Sequence, residues 1–329
     1  MRAALLSVFV LALLPRPALT DVTGAVNDHV LPAARHFAET ADALADAATA
    51  DCRAMSLRPA YQDAFDGWMG LSHLGFGPLE QDGRALTIEF WPDPRGLVAR
   101  TVRGLVADAD PVVDGPQAFA EVSIAGRGLM ALERVIHGDN ADYGLDDYEC
   151  RYARAIAVDL AAIAADIRTD WAEHAQLMLT AGTADNSRYL SAKEPEQALY
   201  TALLSAIEFD ADQRIGRPMG TFDKPRPKSA EAWRSDRPLR NIRLSLAALR
   251  DLAIHMSDTP IPVTETAFET AQQTAMALDD ARLAGVADPQ SRLKIEILQQ
   301  QIRAIGDAVR GEIGGGLGLT AGFNSRDGD

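Results

Sequence analysis

The chain contains few of the side chains that most often build metal and catalytic centres. It has two cysteines and six histidines among 329 residues, and aromatic residues make up 6% of it. The histidines stand singly, so the ligand spacing of a zinc cage is not found. A glycine-rich phosphate loop, an HExxH helix, a CxxCH haem attachment motif and a GxSxG elbow are also missing. No common catalytic motif is therefore available from which to derive an activity.

Basic residues are in the minority. The sequence has 32 lysines and arginines against 47 acidic residues, which gives a formal net charge of −15. A protein of this charge repels polyanions. Nucleic acid and anionic membrane surfaces are therefore not expected as partners.

Long apolar runs are missing beyond the first residues. Ala3–Leu14 is a continuous apolar run that follows the positive Arg2 and precedes a small-residue pattern at Ala18–Thr20. This arrangement is typical of a signal peptide, and the run is too short to span a bilayer. We predict a signal peptide over residues 1–20, cleaved near Thr20, and an exported protein of the bacterial periplasm without a transmembrane segment.

Cys52 and Cys150 are the two cysteines of the predicted mature chain. An isolated pair in an oxidising compartment is most simply a disulfide, and we predict one here. Two buried free thiols are the alternative. A metal site of two cysteines without a nearby histidine is a weaker one.

Helical periodicity dominates the mature chain. Apolar residues recur at steps of three and four, which indicates one buried face on each amphipathic helix. The series are Ala34–Ala48, Ile156–Trp171, Leu239–Met256 and Ile295–Val309, with further helices predicted over Leu199–Ile207 and Phe268–Leu283. Only the short segment Thr87–Trp91 resembles a strand. The sequence predicts an all-α fold built from helical bundles.

A polar stretch near mid-chain, residues 182–195, is the candidate domain boundary. Its glycine, asparagine, serine and proline residues are typical of a linker between compact units. We therefore predict an N-terminal helical-bundle domain over residues 21–185 and a C-terminal one over residues 186–329.

The segment GRGLMALERVIHG is the first candidate for chemistry. Met130, Glu133 and His137 are spaced along one face of its predicted helix. One interpretation makes them metal ligands, with the thioether favouring a soft ion. The other gives Met130 a core role and His137 a place at the helix C-terminus. Glu133 would then form a surface ion pair with Arg127 or Arg134.

Two other segments have unusual composition. Trp91-Pro92 places a large aromatic side chain at a turn, which favours a loop packed on the end of a bundle. Lys224–Arg243 concentrates basic residues in an acidic protein. Its arginines predict either the binding of a carboxylate or phosphate, or ion pairs with acidic residues of the other domain.

Seven segments, taken in order, resemble the imelysin family, also called M75 peptidase-like, of bacterial periplasmic proteins linked to iron uptake. They are HVLPAARHFAETADALADAATADC (29–52), FGPLE (76–80), IEFWPD (88–93), GLMALE (128–133), IEFDADQRIGRPMG (207–220), WRSDRPLRNI (233–242) and LGLTAGFNSRDGD (317–329). The resemblance extends over nearly the whole mature chain. It implies two helical-bundle domains with a site in the cleft between them.

This chain departs from the family's Gly-x-His-x-x-Glu signature at one position. Gly128 and Glu133 occupy the glycine and glutamate places, whereas Met130 stands where the histidine is expected. Thioether and carboxylate groups prefer different ions, so Met130 and Glu133 form a poor pair for one metal. The peptidase activity that the resemblance implies also needs a general base and an open metal site, which these residues do not supply.

The resemblance leads to three hypotheses of function. The first is a non-catalytic accessory protein of metal acquisition that binds iron or another transition metal and works with iron-uptake or other cell-envelope proteins. Its expected cleft residues are Gly128, Met130, Glu133, Glu208, Arg214, Arg240 and Asn241, with Glu133 as the metal or ligand contact and Arg240 as a counter-charge. The alternatives are an M75-type metallopeptidase and a helical interaction protein without a ligand site.

Overall fold

Helices build the part of the chain that the structure, a computed structural model, describes, which is residues 21–315. The longer helices are α1 (Leu31–Ala50), α2 (Ala54–Met69), α3 (Leu97–Asp108), α4 (Gly128–His137), α5 (Tyr148–Leu179), α6 (Lys193–Phe209), α7 (Pro238–His255), α8 (Pro262–Ala277) and α9 (Pro289–Val309). Shorter α-helical turns are Val22–Gly24, Arg84–Ile88, Pro116–Ala120 and Gly216–Met219, and π-helical segments are Ala25–Val30, Asp210–Ile215 and Arg310–Gly314. Over residues 21–315 no strand forms apart from an isolated bridge between Thr221 and Lys224. The predicted all-α class is confirmed.

The apolar series predicted from the sequence lie on helices, and one of those helices is shorter than predicted. α8 ends at Ala277, not at Leu283. Arg243 of α7 donates to the carbonyl oxygens of Ala275 and Leu278, at 2.7 and 3.1 Å. These bonds satisfy the last carbonyls of α8 from outside, so the chain is free to leave the helix there.

The strand predicted over Thr87–Trp91 is wrong. Arg84–Ile88 is helical, and the residues that follow are irregular. Glu89 is buried and accepts a 2.6 Å hydrogen bond from the indole N–H of Trp68. A long-range side-chain contact holds this segment, a feature that its own alternating pattern does not encode.

The first half of the chain packs around α1, which lies against α2 and α5, while α4 lies against α3 and α5. In the second half α9 packs on α6 and α8. A disulfide joins Cys52, just after α1, to Cys150 in the first turn of α5, as predicted. It links residues 98 apart in sequence and so restricts the unfolded chain.

Some predictions fall outside what the structure tests. The signal peptide and the segment LGLTAGFNSRDGD lie outside the described residues. The predicted domain boundary falls in the loop between α5 and α6, and the division into two domains stays a prediction. None of the helices between residues 21 and 315 is long and apolar enough to cross a membrane.

Candidate functional site

A pocket of about 410 Å³ lies beside α4, between segments from both predicted halves of the chain. It is lined by Phe90, Trp91, Asp93, Pro94, Gly96, Val98, Ala99, Met130, Glu133, Arg134, Arg217, Arg226, Lys228, Ser229, Ala230, Trp233 and Arg234. Two of the residues predicted for a cleft site, Met130 and Glu133, therefore share this pocket. Trp91 also lines it, so the Trp91-Pro92 segment contributes a wall of the pocket as well as packing.

Gly128 has a structural reason to be glycine. It starts α4 with φ +66, a left-handed backbone that side chains disfavour. A Cβ atom there would collide with the carbonyl oxygens of Thr87 and Ile88. The bare backbone lets α4 begin directly against the short helix that leads into the Phe90–Val98 wall of the pocket.

Glu133 is only 1% exposed, although it lines the pocket. Its Oε1 accepts hydrogen bonds from the backbone N–H groups of Arg234 and Ser235, at 2.9 and 3.0 Å, and from the Ser235 hydroxyl at 3.0 Å. Burial raises the pKa of Glu133, and the charge of Arg234 offsets part of that rise. Glu133 thus fastens the turn Trp233–Ser235 to α4.

The surface ion pair considered for Glu133 is wrong because this carboxylate is buried. Arg127 instead binds Asp159 through two hydrogen bonds of 2.9 and 2.6 Å. Arg134, the other candidate, lies on the pocket wall. Within residues 21–315 its guanidinium donates to no protein acceptor.

Basic side chains outnumber acidic ones on the pocket wall. Five basic residues (Arg134, Arg217, Arg226, Lys228 and Arg234) face two acidic ones, Asp93 and Glu133. Asp93 accepts hydrogen bonds from the N–H groups of Leu97 and Val98, both at 2.9 Å, at the start of α3. Both oxygens of Asp93 and one oxygen of Glu133 therefore already accept hydrogen bonds from the fold, and basic side chains remain in excess on the wall.

The residues around Glu133 fit a bare metal ion poorly. Over the described part of the chain, no group of three or more histidine, cysteine, aspartate or glutamate side chains is placed to hold one. His137, the third residue of the predicted ligand series, is not on the pocket wall. Its ring packs on Tyr61 at 5.6 Å between centroids, and burial lowers its pKa to about 4. The metal-ligand series Met130, Glu133 and His137 is not assembled.

Arg214 and Asn241 belong to a second polar cluster, which is buried away from the pocket wall. The Arg214 guanidinium binds Asp210 at 2.5 Å and Glu231 at 3.0 Å. The Asn241 side chain donates to Glu231 at 2.6 Å. Neither Arg214 nor Asn241 lines the pocket.

The basic segment Lys224–Arg243 forms the ion pairs that were one of its two predicted roles, and the other role, binding of a carboxylate or phosphate, stays a prediction. Arg237 and Arg240 bind Asp66 of α2, which ties the two halves of the chain together. Arg226, Lys228 and Arg234 line the pocket. Glu208, another predicted cleft residue, instead pairs with Arg310 at 2.7 Å.

Two neighbouring buried carboxyl groups, those of Glu89 and Glu231, were not predicted. Burial and the charge of Glu231 raise the pKa of Glu89 well above its usual range. Burial acts in the same sense on Glu231, but the charge of Arg214 and several hydrogen bonds lower its pKa overall. Of the two carboxyl groups, Glu89 is therefore the one that holds a shared proton more tightly. The available sequence signal was a single glutamate within the aromatic segment IEFWPD.

The free energy of unfolding of Glu89→Gln, relative to that of the wild type, is expected to increase as pH rises from 5 to 9. Because the folded-state pKa of Glu89 is raised, the folded protein keeps a proton that the unfolded chain releases above about pH 4.3. The wild type therefore loses stability as pH rises from there toward the folded pKa. The glutamine amide donates to Glu231 without titrating. Urea unfolding at pH 5, 7 and 9 measures the difference.

The matched control for this variant is Glu121→Gln, since Glu121 is exposed. It should follow the wild-type profile at each pH. Parallel profiles for Glu89→Gln and the wild type would show that Glu89 does not hold the shared proton.

The fold is all-helical, and a pocket rich in basic side chains lies beside the helix that begins with Gly128 and carries Glu133. The profile of the imelysin family matches residues 30–309. The chain belongs to the imelysin family. Its similarity therefore spans nearly all of the described residues, including α4 and both walls of the pocket.

Two relatives illustrate the similarity. Iron-regulated protein A of Synechococcus elongatus is 21% identical over 277 residues, which is 78% of this chain and 73% of that protein. The crystal structure of an imelysin-like protein from Psychrobacter arcticum 273-4 superposes with a TM-score of 0.77 at 21% identity, covering 92% of this chain and 96% of that one. At this identity the structural match establishes the shared fold.

Proposed function

We propose that this chain is a non-catalytic binding protein of iron acquisition in the cell envelope, with its ligand site in the pocket beside α4. The name of the cyanobacterial relative supports the association with iron. The N-terminal sequence supports export. The single observation that carries the site is a ligand-sized pocket whose second-half wall is fastened to the signature helix by Glu133.

In this proposal Glu133 positions the site and does not act as a metal ligand. Its carboxylate holds the turn Trp233–Ser235, and this turn presents Trp233 and Arg234 to the pocket. Met130 contributes an apolar part of the wall. Iron would then enter the pocket as cargo within a complex, because the donor groups suited to a bare ion are not gathered there.

Peptide hydrolysis is not favoured by the chemistry around Glu133. A general base must reach a water molecule and accept its proton. Glu133 Oε1 already accepts three hydrogen bonds from the protein, so only Oε2 of a nearly fully buried carboxylate is left for a water molecule. The residues that would complete a metal-activated water are not grouped beside it.

Blocking the pocket tests the proposal. Ala99 lies on α3 and lines the pocket, so Ala99→Trp would fill part of its volume. Gly104, on the same helix, has open space where a side chain would begin, and Gly104→Trp is the matched control. In its source organism, deletion of the chain should slow growth under iron limitation. The wild type and Gly104→Trp should restore growth, whereas Ala99→Trp should not.

Equal rescue by Ala99→Trp and Gly104→Trp would remove the pocket from the function. A deletion without an iron-dependent growth defect would contradict the role in iron acquisition. Thermal unfolding of both purified variants shows whether they are folded, so that misfolding is not mistaken for a blocked pocket.

A further inference from the structure

We infer that the pocket binds a small organic polyanion, with its carboxylate groups held by Arg134 and Arg234. The link of this ligand to iron rests on the proposed function, whereas the choice of ligand class rests on the pocket wall alone. The signature helix then borders an anion site, where the sequence suggested a cation site.

The first support is the charge balance of the wall. Five basic side chains line the pocket in a protein whose net charge is −15. An excess of carboxylates is available to pair with them, yet only two acidic residues line the pocket, and donors of the fold occupy both oxygens of Asp93 and one of Glu133. Local positive charge of this kind in a concave site attracts anions and raises their local concentration.

The second support is the state of Arg134 and Arg234. Over residues 21–315, neither guanidinium donates to a protein acceptor or forms an ion pair. Burial, and then the neighbouring charge of Arg134, lower the pKa of Arg234. The nearby charges of Glu133 and Asp139 act in the opposite sense on the pKa of Arg234 without outweighing these two effects. An oxyanion between the two guanidinium groups would relieve their repulsion.

The contrast with the other buried arginines strengthens this point. Arg214, Arg237 and Arg292 are each satisfied by carboxylates, amides or carbonyl oxygens. The fold therefore pairs an arginine wherever it buries one for structural reasons. Arg134 and Arg234 are half-buried on a pocket wall and are left with their donor groups free.

The geometry of the wall around these two side chains suits a ligand with several anionic groups. Both arginines and Ala99 also line an adjoining pocket of about 420 Å³, whose wall carries Asp139 and Glu149 as well, so the excess of basic groups lies on the first pocket's side of this junction. Arg217 is held by Gln213 through two hydrogen bonds, at 3.2 and 3.0 Å, which fixes its direction without neutralising its charge. A third carboxylate of the same ligand would meet Arg217.

The aromatic and apolar part of the pocket wall favours a ligand with a carbon skeleton. Phe90, Trp91, Val98, Met130 and Trp233 supply aromatic and apolar surface. The guanidinium of Arg234 stacks over Trp233 at 4.2 Å from the ring centroid, so the turn offers a flat, rigid face. Inorganic phosphate would leave this surface uncovered, whereas a carbon skeleton that carries carboxylates would contact both kinds of wall.

Isothermal titration calorimetry of the purified protein tests the inference. The probes are citrate, ferric citrate, tricarballylate, inorganic phosphate, ferrous ion and a hexaglutamate peptide. Tricarballylate has three carboxylates but lacks the hydroxyl group that helps citrate to chelate metal, so it reports on the anion site itself. We expect citrate, ferric citrate and tricarballylate to bind, with affinity falling as salt is added.

Arginine variants then assign the site. Arg134→Gln and Arg234→Gln should each weaken tricarballylate binding by about tenfold or more, and the double variant more still. The matched control is Arg35→Gln with Arg168→Gln, two exposed positions on α1 and α5 that remove the same charge. The control should bind like the wild type. Because neither guanidinium donates a hydrogen bond within residues 21–315, the double variant should lose little stability, limited to the stacking of Arg234 on Trp233 and its attraction to Glu133.

Several results would overturn the inference. Tricarballylate binding that is unchanged in the double variant would place the anion elsewhere. Phosphate binding as tight as tricarballylate binding would remove the organic part of the ligand. Tighter binding of hexaglutamate would point to an acidic segment of a partner protein. Ferrous ion bound in preference to every anion would restore a cation site.

The outcomes of the two proposals are separable. If no polyanion binds and Ala99→Trp still fails to restore growth under iron limitation, the proposed function stands and this ligand class is wrong. If polyanions bind through Arg134 and Arg234 but Ala99→Trp restores growth, the anion site stands and the role in iron acquisition is wrong.

Discussion

Arg214→Met is expected to lower the free energy of unfolding by about 3–5 kcal/mol at pH 7, the usual effect of removing one partner from a buried ion pair. Arg214 is 5% exposed and binds both Asp210 and Glu231. Its guanidinium also lies over the ring of Phe209, 5.0 Å from the centroid. Methionine retains much of the packing volume but leaves the two carboxylates, and Glu89 beside them, without a cation.

This loss should depend on pH. Burial raises the pKa of Asp210, and Arg214 offsets part of that rise. Without Arg214 the carboxyl groups of the folded state hold protons more tightly than those of the unfolded chain. Stability of the variant then falls as pH rises above the unfolded pKa values of about 4. The difference from the wild type should therefore be larger at pH 8 than at pH 5 in urea unfolding.

Two further variants distinguish the contribution of the Arg214 charge from that of its packing. Arg214→Lys keeps the charge but lacks the planar fork, so it should lose less than Arg214→Met. Arg168→Met, at an exposed position on α5, should lose little. An equal loss at pH 5 and pH 8 for Arg214→Met would mean that packing on Phe209, and not charge, is what Arg214 contributes.

Periodicity was enough to predict the fold class because each long helix buries one continuous face. The apolar steps of α1, α5, α7 and α9 coincide with their buried residues. The strand prediction for Thr87–Trp91 was wrong because five residues are too few to distinguish a strand from an irregular buried stretch. What holds it is the bond between Trp68 and Glu89, 21 residues apart, which no local pattern contains.

The candidate site was predictable only in part for a related reason. Met130 and Glu133 are recognisable because they stand at fixed positions in a signature segment. Arg134 and Arg234 are 100 positions apart in the chain, and they become notable only once the fold brings both to one pocket wall and, over residues 21–315, leaves both guanidinium groups without an ion pair. Whether an arginine has an ion-pair partner can be seen only in the folded structure, because the partner can come from any part of the chain. Arg214 shows the converse, since its burial with Asp210 and Glu231 turns a predicted ligand contact into a structural group.

Glu133→Ala is expected to lower the free energy of unfolding by about 2–4 kcal/mol, since it leaves several buried donors without an acceptor. Glu133 Oε1 serves the N–H groups of Arg234 and Ser235 and the Ser235 hydroxyl, more than 100 positions along the chain. Their loss should release the turn Trp233–Ser235 from α4. Hydrogen exchange should show faster exchange at the amides of residues 234 and 235, and urea unfolding should show the loss of stability.

Glu133→Gln separates the positioning role from a metal-binding role. Glutamine keeps a carbonyl oxygen where Glu133 Oε1 accepts its bonds, and burial already disfavours the charged carboxylate by raising its pKa. We therefore expect it to keep the protection of the turn, to lose less than about 1 kcal/mol of stability, and to bind tricarballylate like the wild type. A metal ligand would behave in the opposite way, because an amide replaces a carboxylate poorly in a coordination sphere. Normal stability of Glu133→Gln together with loss of ferrous ion binding would therefore make Glu133 a ligand, and would require metal donors that the turn Trp233–Ser235 and α4 do not gather around it.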